Sequence, residues 1–251
     1  MIDEQIEATG IWWTRDAVPF SALPAVGVDA ALESHHGRLA EFVRDAAELE
    51  GNRLTANEIA RLVDQAPAGT LTFDEVQVIS LTDAFTQLGS FVRDNQFVLG
   101  KRTSDRLHAT VAEYEAIESG HFRGEGYVDD GGHVSLGNAG SYRASAPGAG
   151  GETLIDEHRR LMAHLDTLDD PREQALAYFC AAARRQFYFD GNKRTARLMM
   201  NGHLMAHGYD AISIRAARSA EFNEHLITLF DAGDATGLMQ FTIDCRMRGG
   251  Q

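Results

Sequence analysis

Cysteine is scarce in this chain, with two in 251 residues. Cys180 and Cys245 both fall in apolar, helix-spaced surroundings, so they read as buried thiols rather than a disulfide or a metal pair. A reducing cytoplasm is the natural setting for such thiols. No apolar run reaches the roughly 18 residues that a membrane span needs, so no membrane partner is expected. Residues 1–10 are acidic and polar, unlike a secretory signal. Positive charge is also in short supply: 23 Lys and Arg face 37 Asp and Glu, a net charge of -14. A nucleic-acid surface would have to be a local patch in a hostile field. The one candidate is a short loop better suited to a single nucleotide. His203 and His207 share a helix face at i, i+4 spacing, but no Glu follows the first and no Cys or carboxylate lies close in sequence. A protein-ligated zinc is therefore not expected.

What is present is a globular composition, 44% hydrophobic, and enough length for a well-buried core. Periodicity and caps give a mostly helical chain. Residues 1–28 read as an extended arm whose Trp12 and Trp13 pack on the body. A helix runs from Asp29 to Glu50 and is capped by Gly51 and Asn52. Thr55 with Glu58 and Thr72 with Glu75 are capping boxes that open the next two helices, separated by Pro67 and Gly69. Ser104 or Asp105 opens a helix with Leu107, Val111, Tyr114 and Ile117 on its inner face, and His108 reads as a packing histidine. Asp129-Asp130-Gly131-Gly132 is a hairpin turn signal between two short strands, and 137–151 reads as a mobile Gly, Ala and Ser loop. Helices follow over 153–168, from Pro171 to about Gln186 with Asp170 as N-cap, and on to Gly208. An extended piece over 211–214 and two last helices complete the chain. The expected division is 1–100, arm and first helices, and 101–251, a core that carries the functional loop.

That loop is Gln186-Phe187-Tyr188-Phe189-Asp190-Gly191-Asn192-Lys193-Arg194-Thr195-Ala196-Arg197. It reads as the end of one helix, a tight turn made by Asp190, Gly191 and Asn192, and the start of the next helix. Lys193, Arg194 and Arg197 place cations at a helix N-terminus, against the macrodipole. An anion over the turn accounts for them, and Asp190 at its lip suits a divalent cation that bridges phosphate oxygens. A plain surface turn before a charged helix is the alternative from spacing alone.

The same stretch resembles the signature loop of the Fic family (Fic/Doc superfamily), HxFx(D/E)GN(G/K)RxxR. Asp190, Gly191, Asn192, Lys193, Arg194 and Arg197 fall in register, and Tyr188 takes the aromatic position. Gln186 stands where the family has its catalytic histidine, and Arg185 and Phe187 also depart from the usual residues. A second stretch, Ala46 to Gly51, resembles the inhibitory segment (S/T)xxxE(G/N) of family members that carry their inhibitor N-terminal to the core, with Ala46 at the Ser/Thr position. The resemblance implies an all-α, Fic-type helical bundle with a short β-hairpin flap. It implies Mg-ATP as cofactor, with Asp190 as the metal residue and Gly191, Asn192, Lys193, Arg194 and Arg197 as the nucleotide-binding residues. It implies inhibition by Glu50 on Arg197 and a protein target with a hydroxyl side chain. Homodimerisation, common in the family, is left open. Gln186 cannot accept a proton as a histidine does, so AMP transfer is expected to be weak or absent while nucleotide binding is kept. Two other readings remain at this point: a non-enzymatic protein-interaction module on the same scaffold, or transfer of a different phosphate-containing group.

Overall fold

The structure is a computed structural model that describes residues 2–65 and 69–248. Among these residues it is an all-α bundle with one two-stranded antiparallel sheet. At its centre α8 (Pro171–Arg185) packs against α9 (Asn192–Ala206). Asp170 caps α8 through the Arg172 N–H, and Pro171 occupies the first turn, where its missing N–H costs nothing. Ala175, Leu176, Tyr178 and Phe179 are buried on successive faces, as a helix through the middle of a bundle requires.

Around this pair lie α2 (Val28–Gly37), α3 (Leu39–Leu49), α4 (Ala56–Asp64), α5 (Phe73–Arg93), α6 (Lys101–Val111) and α7 (Glu152–Leu165), with α10 (Ser219–Ala232) and α11 (Thr236–Arg248) closing the bundle. Both capping boxes form as their sequence pattern requires. The helix expected over 29–50 is two helices, broken at Arg38, although its apolar periodicity runs on through the break. At its end the Gly51 and Asn52 N–H groups close back on the Glu48 and Ala47 carbonyls. This cap fixes Glu50 at the α3 terminus. The expected break at Pro67 lies outside the described residues.

Trp13 packs on the body as expected, buried with its indole N–H on Glu173 at 2.9 Å. Two other expectations are corrected. The arm begins as a helix, α1 (Ile2–Thr9), before continuing as an irregular strap. The helix carrying Leu107 ends at Val111, so Tyr114 and Ile117 are exposed rather than inward. The chain folds back there because the His108 ring takes the Gly120 N–H at 2.8 Å.

The hairpin is displaced by one turn. Its strands are β1 (His133–Ser135) and β2 (Ser141–Arg143), with Val134 opposite Tyr142, and the turn is 136–140. Asp129 to Gly132 instead lead into β1. Gly131 and Gly132 adopt φ of +93° and +78° over the Arg123 side chain, and a Cβ on Gly132 would lie 2.8 Å from the guanidinium carbon. The glycines are there for close approach rather than for a hairpin turn. The stretch 137–151 accordingly contains β2 and two short 3₁₀ turns.

Candidate functional site

The loop between α8 and α9 turns over Gln186, a non-glycine residue in the left-handed region at φ 51°. Its main chain is pinned from two sides. The buried Arg123 donates from Nε to the Gln186 carbonyl at 2.7 Å, and the Arg123 N–H donates to the Phe187 carbonyl at 2.8 Å. The remaining arms of Arg123 reach the Ser145 and Asp130 carbonyls, at 3.1 and 3.5 Å, so one guanidinium joins the loop to both ends of the flap. Phe187 is buried and stacks on Phe122 at 4.7 Å. Tyr188 stacks on His108 at 3.7 Å and donates its hydroxyl to Asp105.

The polar groups at this end of the loop are closed on one another. The Gln186 amide donates to the Ala183 carbonyl at 2.6 Å and accepts from the Asn192 amide at 3.1 Å. The Asn192 side chain braces the loop. It accepts from the Tyr188 N–H at 2.8 Å and donates to the Tyr188 carbonyl at 2.7 Å, which the turn leaves without helical partners. His108 supports the same turn from outside. Its Nδ1 accepts from Gly120, so the ring proton sits on Nε2 and donates to the Asp190 carbonyl at 2.8 Å. Burial pushes this imidazole down to about 4, which leaves it neutral. Gly191 sits at φ +69°, where a Cβ would meet Ala112 at 3.0 Å.

The other end of the loop is ionic. Helix α9 starts with no side-chain cap, and its first turns carry Lys193, Arg194 and Arg197. Glu50 stands against them, with Oε1 at 3.3 Å from Arg197 Nη2 and Oε2 at 3.9 Å from Lys193 Nζ. Burial pushes the Glu50 carboxyl up, but the charges of Lys193, Arg197 and Arg194 outweigh it and hold the group below the usual carboxylate value. Burial works against the Arg197 charge as well, and Glu50 is the foremost group offsetting it. Arg194, only 2% exposed in its side chain, forms a two-pronged pair with Glu115 at 2.5 and 2.9 Å. Burial lowers its basicity, and Glu115, Glu50 and Asp190 more than restore it. Sequence reasoning missed Glu115. It lies 79 positions from its partner, on a turn that follows α6, and no motif marks it.

Glu50, Gln186, Asp190, Gly191, Asn192, Lys193 and Arg194 line one cavity of about 290 Å³, together with His133, Val134 and Ser135 of the flap, Phe189 and Phe230. Arg197 lies behind this wall, joined to it through Glu50. A second cavity of about 280 Å³ adjoins it. The two share Val134, Ser135, Lys193 and Phe230, and the second is more apolar, with Leu136, Leu226 and Ile227 in its wall.

Asp190 is 62% exposed in its side chain. One carboxylate oxygen takes the Gly191 N–H at 2.6 Å and lies 3.7 Å from Arg194. Among the described residues no cluster of three or more His, Cys, Asp or Glu could hold a metal ion. A single carboxylate at the lip of a cationic cavity fits Mg²⁺ in the form it usually takes, completed by phosphate oxygens and water rather than by a protein cage. His203 is not a ligand in waiting: its ring bonds Gln174 at 2.8 Å. Among the described residues no helix is long and apolar enough to cross a membrane.

The sequence profile of the Fic/DOC family matches residues 71–204, a span that holds α5, α6, the flap, α8, the loop and all but the last two residues of α9, and the chain belongs to that family. It is similar to the protein adenylyltransferase Fic of Drosophila erecta, 26% identical over 210 residues, which make up 82% of this chain and 40% of that protein. The protein of the same name in Aedes aegypti is 24% identical over 213 residues, with 83% and 40% covered. The chain thus spans about 40% of the length of the curated relatives it matches. Among solved structures, a Fic domain containing signaling protein from Bacteroides thetaiotaomicron superposes with a TM-score of 0.68 at 19% identity, over 98% of this chain and 92% of that one. Fic-1 from C. elegans gives 0.67 at 16% identity, over 98% and 67%. These two establish the shared helical fold with its short hairpin.

Proposed function

We propose that this protein binds Mg-ATP over the α8–α9 loop, that Glu50 holds the site closed, and that its transfer of AMP to a protein hydroxyl is impaired at Gln186. The observation that carries this reading is the placement of Glu50 between Lys193 and Arg197, beside a cavity large enough for phosphates. A carboxylate at a helix C-terminus is on the wrong side of its own dipole. It is held there by the cations that a phosphate would otherwise take. In this reading Lys193 and Arg197 bind the outer phosphates once Glu50 swings away, the Gly191–Lys193 backbone receives an inner one, and the apolar cavity receives the base. Asp190 would hold Mg²⁺, which supplies charge neutralisation between phosphate oxygens when bound.

Gln186 supplies no proton acceptor, and both groups of its amide are engaged within the protein. Loss of a general base from that position costs about 10²–10⁴-fold in rate. Calorimetry of Mg-ATP against the wild type and Glu50→Gly tests the first part. Weak binding that strengthens in the variant is expected, and no binding by either protein overturns the reading. Incubation with α-labelled and γ-labelled ATP tests the second. Strong α-label transfer is expected in a Glu50→Gly, Gln186→His protein and little without the histidine. Transfer of the γ-label would favour a phosphoryl-transfer activity instead.

A further inference from the structure

Transfer of AMP to a hydroxyl leaves one proton to be taken up. The hydroxyl oxygen forms a bond to the α-phosphorus, the bond from that phosphorus to the diphosphate oxygen breaks, and the hydroxyl proton must go to a base. Gln186 cannot receive it. Three side chains in the cavity wall can: Glu50, Asp190 and His133. Two of these are committed. Glu50 is held by Lys193 and Arg197. Asp190 takes the Gly191 N–H and faces Arg194, and it is the carboxylate placed to hold Mg²⁺. His133 is exposed, and a neutral imidazole carries a nitrogen lone pair that can accept a proton.

Its place is fixed by the backbone. His133 opens β1, one residue after the Gly131-Gly132 pair that rides over Arg123, and Ala144 donates to the Gly132 carbonyl at 2.9 Å. Val134 and Ser135, which follow it in the same strand, line the same cavity. The residue therefore sits on a paired strand rather than a free loop, in the wall of the cavity that Gln186 also lines. We propose that His133, supplied by the flap, is the general base for the AMP transfer that this protein retains. It comes from the flap, a different element from position 186, where the family resemblance places its histidine. The proposal rests on the nucleotide-binding reading.

The test measures α-label transfer and Mg-ATP affinity together, in the full chain. Glu50→Gly should show slow transfer. Adding His133→Gln should lower that rate by about 10²-fold. Mg-ATP affinity should stay within about twofold, since the imidazole acts on the hydroxyl and not on the phosphates. Adding Gln186→His to the double variant should bring transfer back, which separates loss of a base from damage to the flap. Unchanged transfer after His133→Gln overturns the proposal. So does a Glu50→Gly protein that binds Mg-ATP and transfers nothing, and in that case the nucleotide reading survives. If Glu50→Gly fails to bind Mg-ATP, the nucleotide reading itself falls.

Discussion

The segment 186–197 has two ends that are built on different terms. Between Gln186 and Asn192 the two side-chain amides are matched to the loop's own backbone and to each other, the rings of Phe187 and Tyr188 are buried, and Asp190 stands exposed at the lip. From Lys193 to Arg197 the cations are matched to carboxylates from distant parts of the chain, Glu50 and Glu115. The amides need no ligand to be complete. In the proposed reading, Glu50 occupies a position that phosphate oxygens take. A rigid cradle thus lies next to an exchangeable contact in one stretch of twelve residues. Within the ionic end the two carboxylates also differ. Glu115 makes two short bonds to an arginine that is almost wholly buried, whereas Glu50 makes one longer contact beside the half-exposed Lys193.

Substitutions can break or sharpen this contrast. The largest effect is expected for Arg194→Ala, which leaves Glu115 buried beside a missing partner. A loss of about 3–5 kcal/mol is expected in urea denaturation, and it should shrink when Glu115→Gln is added. Next comes Asn192→Ala. It removes the acceptor for the Tyr188 N–H and the donor to the Gln186 amide, and it should cost about 2–3 kcal/mol by the same measurement. The smallest effect is expected for Glu50→Gln, about 1 kcal/mol, because the amide still offers Arg197 an acceptor and Lys193 keeps access to water. The melting temperature of this last variant should rise further with Mg-ATP than that of the wild type. If Asn192→Ala proves as mild as Glu50→Gln, the difference between a closed end and an exchangeable end disappears.

The turn at Asp190-Gly191-Asn192, both capping boxes, the Asp170-Pro171 helix start and the Glu50 cap were all legible from residue type and spacing. Each is a local device in which a side chain acts on backbone a few positions away. What escaped the sequence was long-range. Glu115 and Arg123 find their partners across the fold, and for Arg123 those partners are carbonyls that every residue carries. Arg184 is a similar case, bridging the Gly10 carbonyl of the strap to the Leu229 and Phe230 carbonyls at the end of α10. The hairpin was misplaced because Asp129-Asp130-Gly131-Gly132 carries the composition of a tight turn, while its glycines answer to the bulk of a guanidinium. Tyr114 and Ile117 kept a helical spacing past the point where His108 turns the chain.

Arg123 has one more implication. Because it grips the main chain at 186 and 187 by their carbonyls and by its own N–H, the bend there does not depend on which side chain position 186 bears. A side chain substituted at position 186 would inherit a preset bearing, so the mould of the loop outlasts a change of residue there.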